Sequence, residues 1–166
     1  MILGIYTMIH VVISLLAIFS GLVVLFGLLT AKRFDRWTKF FLATTVLTSA
    51  TGFFFPFHGL TPAIVVGIIS LGLLAMAIFA LYARQLAGVW RAIYVISAVL
   101  ALYLNVFVAI VQSFLKIPAL KEIAPTQNDP AFKIIQLAVL IAFVVLGFVA
   151  AIKFRNEPVP TTWQTK

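Results

Sequence analysis

The sequence has no cysteine and only four acidic residues among its 166 residues. The absence of thiols excludes a disulfide framework, thiolate ligation of a metal and redox chemistry that runs through cysteine. Charged residues make up 10% of the chain and hydrophobic residues 64%. An average soluble domain has about 25% charged and about 45–50% apolar residues. This composition therefore excludes a soluble enzyme, a disordered chain and a collagen-like fibre, and it predicts an integral membrane protein.

A second absence concerns the interior of the apolar runs, where no Asp, Glu, Lys or Arg occupies a central position. The acids Asp35, Glu122, Asp129 and Glu157 all fall in predicted loops or in the tail. Ion-coupled transport, proton pumping and voltage sensing depend on ionisable groups inside the membrane, and acid–base hydrolysis needs positioned proton donors and acceptors. The balance is therefore against an enzyme, although that question stays open, and no catalytic residue or carboxylate metal site is predicted.

Apolar runs separated by basic or proline-containing stretches predict one all-α bundle of transmembrane helices. A membrane helix needs about 20 residues to cross about 30 Å of hydrocarbon, so five helices fill most of the chain. We place the five spans at residues 2–30, 40–55, 62–82, 90–115 and 131–152. These spans form a single domain, residues 1–153, and residues 154–166 are predicted to be a flexible cytoplasmic tail.

Proline and small residues add detail to this bundle. Thr61 followed by Pro62 is typical of a helix start, and Pro118 predicts a short interfacial helix over residues 118–123. The second span is rich in Ala, Ser and Thr. Small residues allow helices to approach each other closely in lipid, so we expect this span near the centre of the bundle.

Basic residues predict the orientation of the bundle. Nine of the twelve Lys and Arg residues lie in the turn at 32–39, the turn at 84–91 and the tail, whereas three lie on the opposite side. Cytoplasmic loops carry an excess of Lys and Arg, which predicts an outer N-terminus and a cytoplasmic C-terminus. The net charge of +8 is then explained by loops that face anionic lipid, and it does not indicate nucleic-acid binding.

The first two spans resemble the next two. Each pair has an apolar helix, an Ala-Lys or Ala-Arg junction and then a Trp, and the pattern recurs about 52 residues further on. Parallel repeats of this kind occur in transporters. The alternative is that any two hairpins with cytoplasmic basic turns look alike.

The few polar residues inside the spans lie toward the side opposite the basic turns. Membrane helices use such residues for interhelical hydrogen bonds, which average about 0.6 kcal/mol, so this structural role is one interpretation. The functional interpretation is an outer-half pocket, covered by residues 116–130, that binds a lipid, a quinone or another apolar small molecule. The candidate ligand-binding residues are His10, Ser14, Thr48, His58, Asn105, Gln112 and Gln136.

The two histidines raise a cofactor hypothesis. Paired hairpins with basic turns resemble, in helix number and loop charge alone, the four-helix b-type cytochromes. This resemblance implies a haem b with His10 and His58 as axial ligands on opposite faces of the iron. His58 lies beside Gly59 in a turn, and the chain has no third histidine, so no other pair could serve.

The run FLKIPALKEIAPTQNDP at residues 114–130, with Leu104 to Phe107 and Gln112, is similar to a segment of small, uncharacterised bacterial inner-membrane proteins. The resemblance extends over most of the chain except the tail. It implies five spans and a multi-pass protein of the bacterial inner membrane, and it implies no activity.

Four functions remain open from the sequence. The favoured one is a binding or accessory protein with the outer-half pocket, whose partners are membrane lipids and an apolar small molecule. The alternatives are a homo-oligomeric channel or permease, an electron-transfer protein with haem b, and an assembly subunit of a larger membrane complex.

Overall fold

The computed structural model describes residues 2–55 and 62–155, and this part of the chain is helical apart from short turns. His58 and nearly all of the predicted tail lie outside the described residues. The helices are α1 (Ile2–Leu29), α2 (Asp35–Gly52), α3 (Pro62–Ile78), α4 (Trp90–Lys116), α5 (Pro118–Ile123) and α6 (Pro130–Phe154). A π-helical turn, Phe79–Ala83, continues α3.

Within residues 2–55 and 62–155, four helices are long and apolar enough to cross a membrane: α1, α3 with its π-helical turn, α4 and α6. The described part of the chain is all-helical, and these four helices are those of a multi-pass membrane protein. The fifth long helix, α2, has only 18 residues, and Thr, Ser and charged residues lower its apolar content. Its length and composition alone therefore do not show that α2 crosses the membrane.

Helix α4 holds the bundle together. The first four long helices pack in a ring, α1 against α2, α2 against α3, α3 against α4 and α4 against α1, and α6 lies against both α4 and α1. Because α4 contacts every other long helix, it occupies the central position that the small residues of the second span had suggested for α2. The small residues of α2 pack mainly against its ring neighbours α1 and α3.

The two ends of this bundle differ in packing. At the basic end, where the α1–α2 and α3–α4 turns and the C-terminus of α6 lie, the helices enclose one apolar core. Its largest side chains are almost fully buried: Leu28, Phe41, Leu74, Tyr94 and Phe154. Close packing of this kind requires small residues at helix crossings. A Cβ on Gly21 of α1 would lie 2.5 Å from a side-chain carbon of Leu102 and 2.8 Å from one of Phe41.

The opposite end, which we call the loop end, is looser. It contains the first half of α1, the C-terminal end of α2, the start of α3, the end of α4, α5 and the start of α6. No side chain described in α1 before Ala17 is buried. In α4, residues 94–102 include seven buried side chains, whereas every residue from 103 to 111 is only partly buried.

The turn after α1 is closed by backbone hydrogen bonds. The N–H of Lys32 donates to the carbonyl of Gly27 at 2.8 Å, and Ala31 takes a left-handed conformation with φ of +54°. This is the Schellman ending of a helix, in which the left-handed position is usually Gly. The turn after α3 has a similar long bond, from the Leu86 N–H to the Ala80 carbonyl at 3.0 Å.

Both ends of the second predicted span differ from the helix in the structure, which ends at Gly52 rather than at 55. Helix α2 begins at Asp35, five residues before the predicted span, because the charged residues around Trp37 form its first turn. An acid in a first helical turn is stabilised by the helix dipole, so the charge that suggested a loop is compatible with a helix start. Helix α3 begins at Pro62 and α5 at Pro118, as predicted.

Candidate functional site

Three polar side chains meet between α1 and α2 at the loop end, and we call Tyr6, His10 and Thr51 the polar cluster. The Tyr6 hydroxyl donates to the backbone carbonyl of Thr51 at 2.6 Å. His10 Nδ1 lies 2.8 Å from Thr51 Oγ1. The ring of Phe55 meets the rings of Tyr6 and His10 edge-on, with centroids 5.0 Å and 5.1 Å away. Because Tyr6 and His10 are one helical turn apart, one face of α1 supplies both.

Two hydroxyls, one in this cluster and one beside it, donate hydrogen bonds to carbonyls of their own helices. Thr51 Oγ1 donates to the Leu47 carbonyl at 2.6 Å, and Ser14 Oγ donates to the His10 carbonyl at 2.7 Å. Ser and Thr in membrane helices commonly satisfy themselves in this way. Ser14 therefore lies next to the cluster without a hydrogen bond from its side chain to another helix.

Thr48 behaves differently from its neighbour one turn earlier. The hydroxyl of Thr44 donates to the Phe40 carbonyl at 2.7 Å. Thr48 Oγ1 is buried and has no hydrogen-bond partner within the described part of the chain. A buried hydroxyl without a partner is unfavourable by about 1–3 kcal/mol in proteins. Thr48 thus offers an unused polar atom one turn from the polar cluster.

Helix α4 approaches the same face of α2 through Asn105. Its Nδ2 atom lies 3.5 Å from Thr45 Oγ1, at the outer limit of a hydrogen bond, and the side chain is only partly buried. Thr45, Thr48 and Thr51 succeed one another at helical spacing along α2. A polar track therefore leads from the cluster at the α1–α2 contact to Asn105 on α4.

A separate polar contact joins α4 to α6. Gln136 is buried, and its Nε2 donates to the Phe107 carbonyl at 3.2 Å, while its Oε1 has no partner among the described residues. Gln112 of α4 is exposed, so the structure does not bring it to the track. His58 lies outside the described residues.

The structure thus brings four of the seven predicted residues to one region: His10, Ser14, Thr48 and Asn105. Three residues of this region are not among the seven: Tyr6, Thr45 and Thr51. Tyr6 lies four residues before His10, on the same face of a helix, and this spacing was a usable signal. Thr45 carried no signal that distinguished it from the other hydroxyls of α2.

Charged groups are few around this region. The ammonium of Lys116, at the exposed end of α4, lies within electrostatic range of the His10 ring. Further out, the hydroxyl and backbone N–H of Thr126 both donate to Asp129 Oδ2, at 2.8 Å and 2.6 Å. These bonds hold the pKa of Asp129 below its usual value. Residues 2–55 and 62–155 contain no group of three or more His, Cys, Asp or Glu side chains suited to a metal ion.

No protein-family model, curated protein or solved structure matches this chain. The function must therefore follow from the chemistry of the residues themselves.

Proposed function

We propose that the protein binds an apolar small molecule with a polar head, such as a lipid or a quinone, between α1, α2 and α4 at the loop end. The observation that carries this proposal is the buried Thr48 hydroxyl, which has no partner among the described residues and lies at the middle of the track from His10 to Asn105. Such a group lowers stability, whereas a bound polar head would supply the missing hydrogen bond.

The looser packing of the same end supports the proposal. Binding sites in helical bundles are mostly apolar and are oriented by a small number of polar groups. The partly buried stretch of α4 from 103 to 111 provides apolar surface, and the track provides a few polar atoms beside it. Amide and hydroxyl groups without charge suit a neutral or zwitterionic ligand that enters from the lipid.

The first experiment is native mass spectrometry of the full chain, released from mild detergent, together with extraction and identification of any copurified molecule. We expect an adduct of defined mass in the wild type and in Thr44→Val. The adduct should be depleted in Thr48→Val and Asn105→Leu. Retention of the same adduct in both track variants, or no adduct even after addition of lipids and quinones, would contradict the proposal.

We further propose that α2 is a fifth span and that the protein is a bacterial inner-membrane protein with an outer N-terminus. Eighteen residues of helix are about 27 Å long, close to the hydrocarbon thickness of about 30 Å. Helix α2 also runs beside α1 along most of its length. Trp37 meets Phe19 edge-on near one end, and Thr51 meets Tyr6 at the other.

Single cysteines test this topology directly, because the natural sequence contains none. Lys32 and Ala87 are exposed in the two basic turns, and Gln127 is exposed in the α5–α6 loop. If α2 spans, Lys32→Cys and Ala87→Cys react with an impermeant maleimide only after the cells are opened, and Gln127→Cys reacts in intact cells. Labelling of Lys32→Cys and Ala87→Cys on opposite sides would exclude α2 as a span.

A duplicated hairpin remains part of the proposal. In both hairpins a Trp near the start of the second helix meets a Phe of the first edge-on, Trp37 with Phe19 and Trp90 with Phe79. Both hairpin turns also begin with a long backbone bond back into the preceding helix. Trp37 and Trp90 are 53 residues apart, as are Gly27 and Ala80, which accept the long bonds, whereas Phe19 and Phe79 do not match in position. The matching turns favour two copies of one unit, with α6 added to them.

A further inference from the structure

The hydrogen atoms of the polar cluster are already used inside the protein. The Tyr6 hydroxyl gives its hydrogen to the Thr51 carbonyl, and the Ser14 hydroxyl gives its hydrogen to the His10 carbonyl. The Thr51 hydroxyl gives its hydrogen to the Leu47 carbonyl, which can only accept. What these three oxygens still offer is lone pairs.

The Thr51 bond also determines the form of His10. The contact of Thr51 Oγ1 with the Leu47 carbonyl, at 2.6 Å, is shorter than its contact with His10 Nδ1, at 2.8 Å, so we assign the hydroxyl hydrogen to Leu47. With this assignment Oγ1 accepts at its contact with His10, and Nδ1 carries the hydrogen that it donates. A charge inside a span is unfavourable, so the neutral ring is the relevant form. In a neutral imidazole with hydrogen on Nδ1, Nε2 is an acceptor. No described residue makes a hydrogen bond to Nε2.

We infer that the ligand of this site is a hydrogen-bond donor: an apolar molecule with a hydroxyl or phenol group that donates to His10 Nε2. The reduced, phenolic form of a quinone and a long-chain alcohol belong to this class, whereas the oxidised quinone and an ester do not. This inference rests on the proposed function and narrows it: a carbonyl ligand could accept from Thr48 or Asn105 of the track, but it would leave His10 Nε2 without a hydrogen bond.

Lys116 is a charged donor within electrostatic range of the His10 ring, and it needs a control. Its side chain lies at the exposed end of α4. If Lys116 supplied the hydrogen bond, a carbonyl ligand would bind as well as a hydroxyl ligand, and Lys116→Met would remove the binding of both.

The test uses three probes that have a six-membered carbon ring and the same decyl tail: 4-decylphenol, its methyl ether 4-decylanisole, and decyl-benzoquinone. Binding to the full chain in nanodiscs is measured by native mass spectrometry with a competing lipid. We expect the phenol to bind about tenfold more tightly than the ether and the quinone. His10→Phe and Thr51→Val should abolish this preference, and Thr44→Val and Lys116→Met should keep it.

The outcomes separate the two proposals. If all three probes bind equally at the track, or if the quinone binds more tightly than the phenol, the donor inference is wrong. In both cases the proposed binding function is unaffected. Failure of every probe to bind would remove the binding function for this class of molecule, and the donor inference with it.

A measurement without ligand checks the same point. His58→Gln leaves His10 as the sole histidine, so ¹⁵N signals from labelled histidine report on one ring. We expect the hydrogen on Nδ1 and a lone pair on Nε2 at neutral pH, and we expect this preference to weaken in Thr51→Val. A hydrogen found on Nε2 in the wild type would overturn the inference.

Discussion

The basic end and the loop end of the bundle are built from the same helices by different means. At the basic end, side chains such as Phe41 and Leu102 are 1% exposed, and glycine allows the helices to meet closely. At the loop end, polar contacts such as His10 with Thr51 and Gln136 with Phe107 join the helices beside one small apolar cluster of Phe114, Ala124 and Phe132. The apolar side chains around those pairs stay partly exposed.

This difference in packing indicates which end determines the stability of the protein and which end can bind a ligand. Tight apolar packing loses contact energy whenever a side chain is shortened or lengthened. A loosely packed end with polar contacts loses less on substitution and can admit a ligand. The stability of this protein should therefore respond mainly to the basic end, and its ligand affinity mainly to the loop end.

Leucine shortening on α4 should give the largest contrast. Leu102 is 1% exposed, while Leu104, two residues later on the same helix, is partly buried. We expect Leu102→Ala to lower the free energy of unfolding by about 2–5 kcal/mol and Leu104→Ala by clearly less. Unfolding in mixed micelles with increasing sodium dodecyl sulfate measures both. Equal losses would show that the two ends are packed alike.

Adding a methyl group at a glycine also compares tightly packed with loosely packed positions. A Cβ on Gly21 would collide with Leu102 and Phe41, whereas one on Gly72 of α3 meets nothing within 4 Å. We expect Gly21→Ala to lower the free energy of unfolding by about 1–3 kcal/mol. Gly72→Ala should leave it unchanged or raise it by about 0.5–1 kcal/mol. A neutral Gly21→Ala would mean that α1 and α4 are not in close contact.

The two threonines of α2 should respond in opposite directions. Thr44→Val loses a satisfied hydroxyl, and we expect a decrease of about 0.5–1 kcal/mol. Thr48→Val removes a buried hydroxyl without a partner, so the ligand-free protein should be unchanged or more stable by about 1 kcal/mol. The same unfolding titration compares them. A clear loss of stability in ligand-free Thr48→Val would show that its hydroxyl has a partner inside the protein.

The smallest expected effect is the pH response of the loop before α6. The hydrogen bonds from Thr126 lower the pKa of Asp129. They therefore stabilise the folded loop at pH values above the ordinary carboxyl pKa, and this stabilisation is lost as the pH falls through the lowered pKa. The Lys133 amide bonds to the Asp129 carbonyl at 3.2 Å. We expect the protection of this amide from hydrogen exchange to decrease when the pH is lowered below about 4. Asp129→Asn should lack this response, and Glu122→Gln should retain it.

Most of the fold could be predicted from the sequence, because long apolar runs between basic or proline-containing turns allow little besides membrane helices. The start of α2 was misplaced because Asp35 and the basic residues around it resemble a loop when the helix dipole is not considered. The central position of α4 was missed because a count of small residues does not reveal which helix has neighbours on every side.

The candidate site could be predicted only in outline. The polar residues of the spans were visible, but their bonds were not, since a hydroxyl can donate to its own helix or to another. Thr44 and Thr48 have the same sequence signal, yet only Thr44 is satisfied by its own helix. The state of the His10 ring depends on a Thr 41 positions away, which no local pattern predicts.

The central position of α4 also has a consequence for biogenesis. Helices α1, α2 and α3 are synthesised first, and their ring closes only when α4 packs against α1 and α3. We therefore expect nascent chains that end before α4 to remain loosely associated in the membrane and sensitive to quality-control proteases. In the described part of the chain α6 packs mainly against α4 and α1 among the long helices. It therefore docks onto a ring that is already closed, and its arrival marks maturation of the bundle.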